Sequence, residues 1–141
     1  MKIKYTSLED VNKFNDNTLM RHLDMVITEI GDDYIIGEMP VDHRTHQPLG
    51  MLHGGASVAL IESLGSIASS LIVDMDQEFP VGIEVNANHI GAARTGKVRG
   101  VAKLVHGGKR THVWKVDVYT ADSNRLVCTG RLTVMIVKKK G

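Results

Sequence analysis

The segment from Ala56 to Val73 most constrains the fold, because it is the one long apolar stretch in a chain of 141 residues. Its length approaches that of a membrane span. It contains Glu62, Gly65 and five serines, however, and these favour a buried helix of a soluble protein. The first 20 residues are rich in charged and amide side chains and contain no apolar run typical of a signal peptide. We therefore expect a cytoplasmic protein.

The residues after this helix have the period of β-strands. Apolar and other side chains alternate at 81–86, where Val81, Ile83 and Val85 are the apolar set, and again at 97–104 and 114–119. A last strand is predicted from Leu126 to Val137. Alternation is typical of an antiparallel sheet with one covered face, and the long helix is the only large apolar element able to cover it. The pattern predicts an α+β fold, an antiparallel sheet wrapped around one long central helix, as a single domain over residues 1–141.

The chain before the helix predicts shorter elements. Ser7 and Asp10 are spaced as in a capping box and predict a short helix. Further elements are a helical turn at 18–23, a hairpin of strands at 26–30 and 34–39, and a loop at 40–55 that leads to a helix start near Ala56.

Charge and cysteine content exclude several classes of function. The net charge of +1 gives no broad electrostatic footprint for nucleic acid or an anionic membrane. The single cysteine, Cys128, excludes an internal disulfide and a Cys-rich zinc site, and its place in a predicted strand favours packing over a nucleophilic role. His43, His46 and His53 match no zinc signature, so no metal site is expected.

Glu62 is the chemically unusual residue of the central helix. Helical spacing places it on one face with Ala59 and Ser66, among apolar neighbours that leave it at best half exposed. Burying an unpaired carboxylate is costly. A structural hydrogen bond, a position at an oligomer interface and a catalytic role each explain it.

The His53-Gly54-Gly55 run before the helix favours the catalytic role. We expect the amides of Gly54 and Gly55 to point outward as unpaired donors at the positive end of the helix dipole, where an oxyanion could bind. A glycine-rich helix start without function is also common. Eight residues separate Gly54 from Glu62, which is roughly 12 Å along a helix, whereas both must lie within ~3 Å of one reacting centre. Two antiparallel helices close this gap, so a shared site predicts at least a dimer with two equal sites.

Five segments together resemble the hotdog-fold acyl-CoA thioesterases, in the branch of the phenylacetate-pathway and Arthrobacter-type 4-hydroxybenzoyl-CoA enzymes. The resemblance covers nearly the whole chain and is most marked to the dihydroxynaphthoyl-CoA thioesterases of menaquinone synthesis and the aryl-carrier-protein proofreading thioesterases of siderophore synthesis. The segments are Met39-Pro40-Val41-Asp42, Arg44-Thr45-His46-Gln47-Pro48, Leu52-His53-Gly54-Gly55-Ala56-Ser57, Glu62-Ser63-Leu64-Gly65-Ser66 and 81–89.

The resemblance implies a catalytic set. Glu62 is the nucleophile or general base, Gly54 the backbone donor that polarises the thioester carbonyl, and Gln47 the side-chain amide near that carbonyl. His53 positions the group and Ser66 helps to hold the attacking water. The resemblance also implies sites at a dimer interface, a dimer of dimers (homotetramer), and no cofactor, since coenzyme A is part of the substrate.

The resemblance also implies a coenzyme A-binding set in two segments and one further glycine. Relatives often carry a basic residue where Ile90 or Gly91 stands, so phosphate contacts are expected to shift to Arg94, Lys97, Lys109 or Arg110. The set is Gly82, His89, Ile90, Gly91, Ala92, His106, Gly107, Gly108, Lys109, Arg110 and Thr111.

The predicted function is hydrolysis of an aromatic acyl-CoA, of hydroxybenzoyl or dihydroxynaphthoyl type, with the ring against an aliphatic wall near Leu64 and Ile67. The alternatives are a non-catalytic dimer that binds acyl-CoA or an acyl carrier, and a carrier-protein proofreading thioesterase. A hotdog dehydratase is disfavoured, because it needs a His paired with a carboxylate and His53 lies too early relative to Glu62.

Overall fold

A computed structural model describes residues 1–4 and 6–140, and its elements form one antiparallel sheet with a long helix against it. The sheet order is β1-β2-β4-β5-β6-β3, and every neighbouring pair is antiparallel. The predicted α+β architecture is confirmed. The elements are α1 (Leu8–Lys13), α2 (Leu19–His22), β1 (Val26–Ile30), β2 (Tyr34–Pro40), α3 (Gly54–Ser70), β3 (Glu78–His89), β4 (Lys97–Gly107), β5 (Thr111–Thr120) and β6 (Leu126–Lys138).

Helix α3 packs directly onto the sheet, because glycines in two strands leave room for its side chains. A Cβ on Gly37 would lie 2.7 Å from Leu64 Cδ2, and one on Gly100 would lie 2.6 Å from Leu64 Cδ1. Leu64 is therefore fully buried and Ile67 is only 6% exposed. Full burial of such a side chain stabilises the fold by about 1.5–3 kcal/mol. The expectation that a substrate ring lies against Leu64 and Ile67 is wrong, since the core already covers both.

The short N-terminal elements match their predictions. The Ser7 hydroxyl accepts a hydrogen bond from the Asp10 amide at 3.1 Å and caps α1. Asn12 then joins α1 to β1, because its side-chain amide donates to the Ile27 carbonyl and its oxygen accepts from the Ile27 amide, at 2.9 and 2.8 Å. Helix α2 and the β1–β2 hairpin also lie where the sequence predicts them. Within the described residues, no helix is both long and apolar enough to cross a membrane.

Strand β3 lies at one end of the sheet and departs from the predicted burial. Its pairing with β6 is interrupted by a bulge between Gly82 and Glu84, and Val81 and Ile83 are 38% and 54% exposed. The prediction that these two side chains face the covered side is wrong. Since β6 is the only strand that pairs with β3 in the described chain, the other edge of β3 is open to a further strand.

Helix α3 begins at Gly54, two residues before the predicted start, and ends at Ser70 rather than at Val73. The physical reason is an N-cap that the sequence did not indicate. His53 has an extended backbone (φ −66°, ψ 130°), and its Nδ1 accepts a hydrogen bond from the Gly55 amide at 2.8 Å. Both glycines therefore belong to the first helical turn.

Candidate active site

In the loop between β2 and α3, buried Thr45 holds His53 in place and a tight turn holds Gln47. The Thr45 hydroxyl donates to the Pro40 carbonyl at 2.7 Å, and the Thr45 carbonyl accepts from the His53 amide at 2.8 Å. A tight turn then begins at Gln47, whose carbonyl accepts from the Gly50 amide at 3.0 Å. Gly50 has a φ of +75°, in the left-handed region that favours glycine.

The side chain of Gln47 is oriented by its own loop. The Leu49 amide donates to Gln47 Oε1, so the oxygen faces the loop and the Nε2 group remains as a donor. Gln47 lines a cavity of about 320 Å³ together with Gly54 and the 89–92 segment. The arrangement therefore aims a side-chain donor and the start of α3 at the same space.

The first turn of α3 offers one free amide rather than the two that the sequence predicts. The Ala56 and Ser57 amides donate to the His53 carbonyl at 3.0 and 3.3 Å, and the Gly55 amide donates to His53 Nδ1. Within the described chain, only the Gly54 amide of this turn lacks a partner. The prediction of a free Gly55 amide is wrong, because the imidazole of His53 caps it. Since Nδ1 accepts, the neutral ring carries its proton on Nε2.

His89 packs against Gly54, the residue whose amide lacks a partner. A Cβ on Gly54 would lie 2.9 Å from His89 Nε2, so the imidazole would have to shift if residue 54 carried a side chain. His89 is the last residue of β3. The end of that strand and the start of α3 thus form one wall of the cavity, a contact that neither segment indicates by itself.

Glu62 and Ser66 lie one turn apart on α3, as predicted, and face β3. The Ser66 hydroxyl donates to Glu62 Oε1 at 3.3 Å, and Glu62 is half-buried. A Cβ on Gly82 would lie only 2.0 Å from the same Oε1 atom. The carboxylate therefore rests against the backbone of β3 beside its bulge, where any side chain would displace it. Sequence reasoning assigned Gly82 to coenzyme A and missed this contact, although an isolated glycine in a strand pattern is a signal for such an approach.

The predicted catalytic residues form two groups within one chain. Gln47 and Gly54 line the 320 Å³ cavity, and neither Glu62 nor Ser66 does so among the described residues. Gly54 and Glu62 belong to the same continuous helix. The separation of roughly 12 Å by helical rise therefore applies to them directly.

The predicted coenzyme A residues also fall into separate places. The 89–92 segment lines the cavity of Gln47 and Gly54, and Gly82 lies at Glu62. The 106–111 segment spans the end of β4, the β4–β5 turn and the start of β5. Gly108, Lys109 and Arg110 of this turn line a second cavity of about 730 Å³ beyond the end of α3. Lys97 lines neither cavity and pairs with Glu38 at 3.4 Å.

A buried polar cluster that the sequence did not indicate lies under the second cavity. The Trp114 indole N–H donates to the Ser69 hydroxyl oxygen at 2.8 Å, and His112 Nδ1 lies 3.0 Å from that oxygen. His112 is fully buried, and burial lowers its pKa below the ordinary 6.5, partly offset by the Gly108 carbonyl. That carbonyl does not reach hydrogen-bonding geometry, so His112 Nε2 has no partner among the described residues.

The remaining candidates have structural partners. His46 Nε2 lies 2.9 Å from the Arg94 carbonyl, and the 1–4 and 6–140 stretches contain no group of three side chains suited to a metal ion. Cys128 is buried in β6 and burial raises its thiol pKa, which agrees with the predicted packing role.

A long helix wrapped by an antiparallel sheet defines the hotdog fold, and the comparisons with known proteins agree. Residues 49–127 match the model of the Thioesterase superfamily. The chain is 46% identical to the 1,4-dihydroxy-2-naphthoyl-CoA hydrolase of Escherichia coli over 131 residues, 93% of this chain and 95% of that protein.

Two solved structures are also similar to this chain. A thioesterase from Pseudomonas aeruginosa, solved as a glutamine-to-alanine mutant, has a TM-score of 0.94 at 43% identity and covers 98% of this chain and 99% of its own. A thioesterase from Haemophilus influenzae has a TM-score of 0.92 at 42% identity, with 98% and 96% covered. The chain belongs to the Thioesterase superfamily. It is an enzyme of the thioester hydrolase class.

Proposed function

We propose that this enzyme hydrolyses the thioester of an aromatic acyl-CoA, of hydroxybenzoyl or dihydroxynaphthoyl type, with Glu62 as nucleophile or general base. The observation that carries the catalytic assignment is the environment of the Glu62 carboxylate. It is half-buried, accepts one hydrogen bond from Ser66, and rests against a residue without a side chain, Gly82. The similarity to a dihydroxynaphthoyl-CoA hydrolase supports the substrate class.

The donors near the start of α3 suit the oxyanion of such a reaction. In the general-base route, Glu62 takes a proton from water, and the resulting hydroxide attacks the thioester carbon. The tetrahedral oxyanion accepts hydrogen bonds from the Gly54 amide and the Gln47 side-chain amide. Collapse breaks the carbon–sulfur bond, and the departing thiolate takes the proton from Glu62, leaving a carboxylic acid and the thiol. In the nucleophilic route, a Glu62 oxygen attacks the same carbon and the carbon–sulfur bond breaks, which releases the thiolate and leaves a mixed anhydride on Glu62. Water then hydrolyses the anhydride to the carboxylic acid and frees the Glu62 carboxylate, and the remaining proton goes to the thiolate.

We propose that each site is shared between two chains. Gly54 and Glu62 are too far apart on α3 to act on one thioester, since ~12 Å of helical rise exceeds the ~3 Å reach of each group. The open edge of β3, with Val81 and Ile83 exposed beside the Glu62 carboxylate, offers a surface for a second copy. A two-fold pairing would give two equal sites.

Replacing Glu62 with Gln tests the catalytic assignment. The amide keeps the shape but can neither take a proton from water nor attack, so kcat in a thiol-release assay should fall by several orders of magnitude. Coenzyme A binding, measured by calorimetry, should be retained. The matched control is Glu84→Gln, which should leave kcat unchanged, because Glu84 is an exposed carboxylate on β3 that accepts a hydrogen bond from the Asn86 side chain at 3.1 Å. A Glu62→Gln enzyme with more than about a tenth of wild-type turnover contradicts the proposal.

A series of acyl groups tests the substrate class. Benzoyl-CoA and naphthoyl-CoA thioesters should give higher kcat/KM than acetyl-CoA or a long-chain fatty acyl-CoA. An optimum at the long-chain substrate excludes the aromatic class. The same aromatic acyl group on a carrier protein provides the comparison with a proofreading thioesterase, and a higher kcat/KM on the carrier than on coenzyme A favours that alternative.

A further inference from the structure

Arg125 lies in the turn between β5 and β6, and the structure holds both its backbone and its side chain. Its amide donates to Thr120 Oγ1 at 3.0 Å, and its carbonyl accepts from the Thr120 amide at 2.9 Å. The guanidinium then crosses to the segment after β3, where Nη2 donates to the Ala92 carbonyl at 2.6 Å. Backbone and side-chain contacts therefore bring a charge from one turn to a distant loop.

Gly91 provides the space for this guanidinium. A Cβ at position 91 would lie 2.6 Å from Arg125 Nη1 and 3.2 Å from the Leu126 carbonyl oxygen. The loop itself is fixed, because the amides of Ile90 and Gly91 both donate to the Val127 carbonyl, at 2.8 and 3.1 Å. The guanidinium thus occupies the position that a side chain at 91 would take.

The charge of Arg125 is uncompensated. Arg44 and Arg21 are paired with Asp42 and Asp16, whereas no carboxylate in the described part of the chain lies within ion-pair distance of Arg125. Its Nη1 and Nε atoms likewise have no hydrogen-bond partner among residues 1–4 and 6–140. One nitrogen is therefore used to orient the group, and the other donors remain for a ligand.

The position of this charge indicates the ligand. Ile90, Gly91 and Ala92 line the 320 Å³ cavity that contains Gln47 and Gly54, and the Arg125 guanidinium contacts Gly91 and Ala92 of this segment without itself lining the cavity. A planar guanidinium is suited to a phosphate, and the N–H groups of Arg125 that have no partner in the described chain remain to donate to one.

We propose that Arg125 binds a phosphate group of the thioester substrate, and that Gly91 is required because it leaves room for the Arg125 guanidinium. This inference rests on the proposed function, because it takes the substrate to be a thioester of a phosphate-bearing thiol. Coenzyme A and a phosphopantetheine-bearing carrier both supply such a phosphate.

Arg125→Gln tests the proposal with one acyl group on three thiols. For acyl-CoA, KM should rise about tenfold with kcat unchanged, as expected for lost binding that is equal in ground and transition states. For acyl-pantetheine, which has no phosphate, KM should not change. Acyl-phosphopantetheine locates the contact: a KM increase assigns it to the phosphate shared with carriers, and no increase assigns it to the nucleotide phosphates. An equal KM increase for acyl-CoA and acyl-pantetheine, or no increase for acyl-CoA, overturns the proposal.

The matched control is Arg99→Gln. Arg99 is an arginine near the same turn that bonds to Asn124 and lies 5.4 Å from the Tyr119 ring centroid, and its loss should leave all three KM values unchanged. Gly91→Ala should reproduce the effect of Arg125→Gln, because the new Cβ displaces the guanidinium. The KM of the Gly91→Ala, Arg125→Gln double variant for acyl-CoA should be no higher than that of either single variant. Additive increases in KM contradict a shared cause.

Binding of free coenzyme A by calorimetry separates this proposal from the catalytic one. The Arg125→Gln protein should bind coenzyme A about tenfold more weakly than wild type, which corresponds to ~1.4 kcal/mol. This readout needs no turnover, so it remains valid if Glu62 proves not to be catalytic. Equal affinities of the two proteins for coenzyme A overturn the assignment of Arg125, whatever the outcome for Glu62.

Discussion

Gly82→Ala tests the proposed site most directly, because it adds one methyl group next to the Glu62 carboxylate. The new Cβ would lie 2.0 Å from Oε1 and 2.9 Å from Oε2, whereas ordinary contact begins at 3.4 Å. Oε1 must therefore move by 1.4 Å (3.4 − 2.0). A glutamate side chain can move this far by changing its rotamer, so the fold should tolerate the variant.

The expected loss is catalytic. A displacement of about 1 Å in a reacting group can cost roughly 100-fold in rate, so kcat of Gly82→Ala should fall by about two orders of magnitude. The melting temperature should change little. If Gly82 acts only on coenzyme A, as the family resemblance implies, KM should rise and kcat should persist. The split between kcat and KM therefore decides between the two roles of this glycine.

Thiol release under saturating acyl-CoA measures kcat, and thermal unfolding checks the fold. Val105→Ala is the matched control, since its exposed side chain lies at a bulge in β4 rather than on the β3 edge and its loss should leave kcat near wild type. Glu62→Asp provides a second check, because the shorter side chain withdraws the carboxylate from the new methyl group. The loss of kcat caused by Glu62→Asp should be smaller in the Gly82→Ala background than in wild type. A Gly82→Ala kcat within threefold of wild type, in a folded protein, would refute the placement of Glu62 as the reacting group.

Three further predictions concern assembly, pH and packing. Mixing Glu62→Gln with Gln47→Ala subunits should restore activity toward half of wild type per mixed dimer, because both lesions then fall in one site; no recovery after exchange verified by mass excludes a shared site. Stability should fall as pH drops below about 6.5, because the buried His112 has a lowered pKa and the unfolded state binds the proton first. The slope attributable to one group is at most about 1.4 kcal/mol per pH unit. Urea unfolding of His112→Gln should show a shallower dependence, and an unchanged slope contradicts this. Ser69→Ala should lower the unfolding free energy by about 1–3 kcal/mol, since it leaves the Trp114 N–H buried without a partner; a loss below the uncertainty of denaturant titration would be evidence against this.

Local patterns were sufficient to predict the architecture. Alternation at 97–104 and 114–119 predicts strands, and Ser7 with Asp10 predicts the first helix, because strand and helix periods and cap spacing involve residues close together in the chain. The half-burial of Glu62 and its partnership with Ser66 follow in the same way from helical spacing. The family, too, follows from residues within short segments of the sequence.

The tertiary structure alone decided which distant residues meet. The approach of Gly82 to Glu62 depends on the bulge in β3 and on how closely α3 packs against the sheet. Arg125 reaches Gly91 because β6 pairs with the end of β3, and Val127 in β6 fixes both amides of that loop.

The same reason explains the errors in the sequence-based predictions. The exposure of Val81 and Ile83 follows from the position of β3 at the end of the sheet, and strand order is not encoded in the alternation of a single strand. The N-cap formed by His53, which uses the Gly55 amide, depends on a ring orientation that the residue type does not determine. Local sequence thus specifies elements and faces, whereas strand order, register and side-chain approach decide which of those faces become a site.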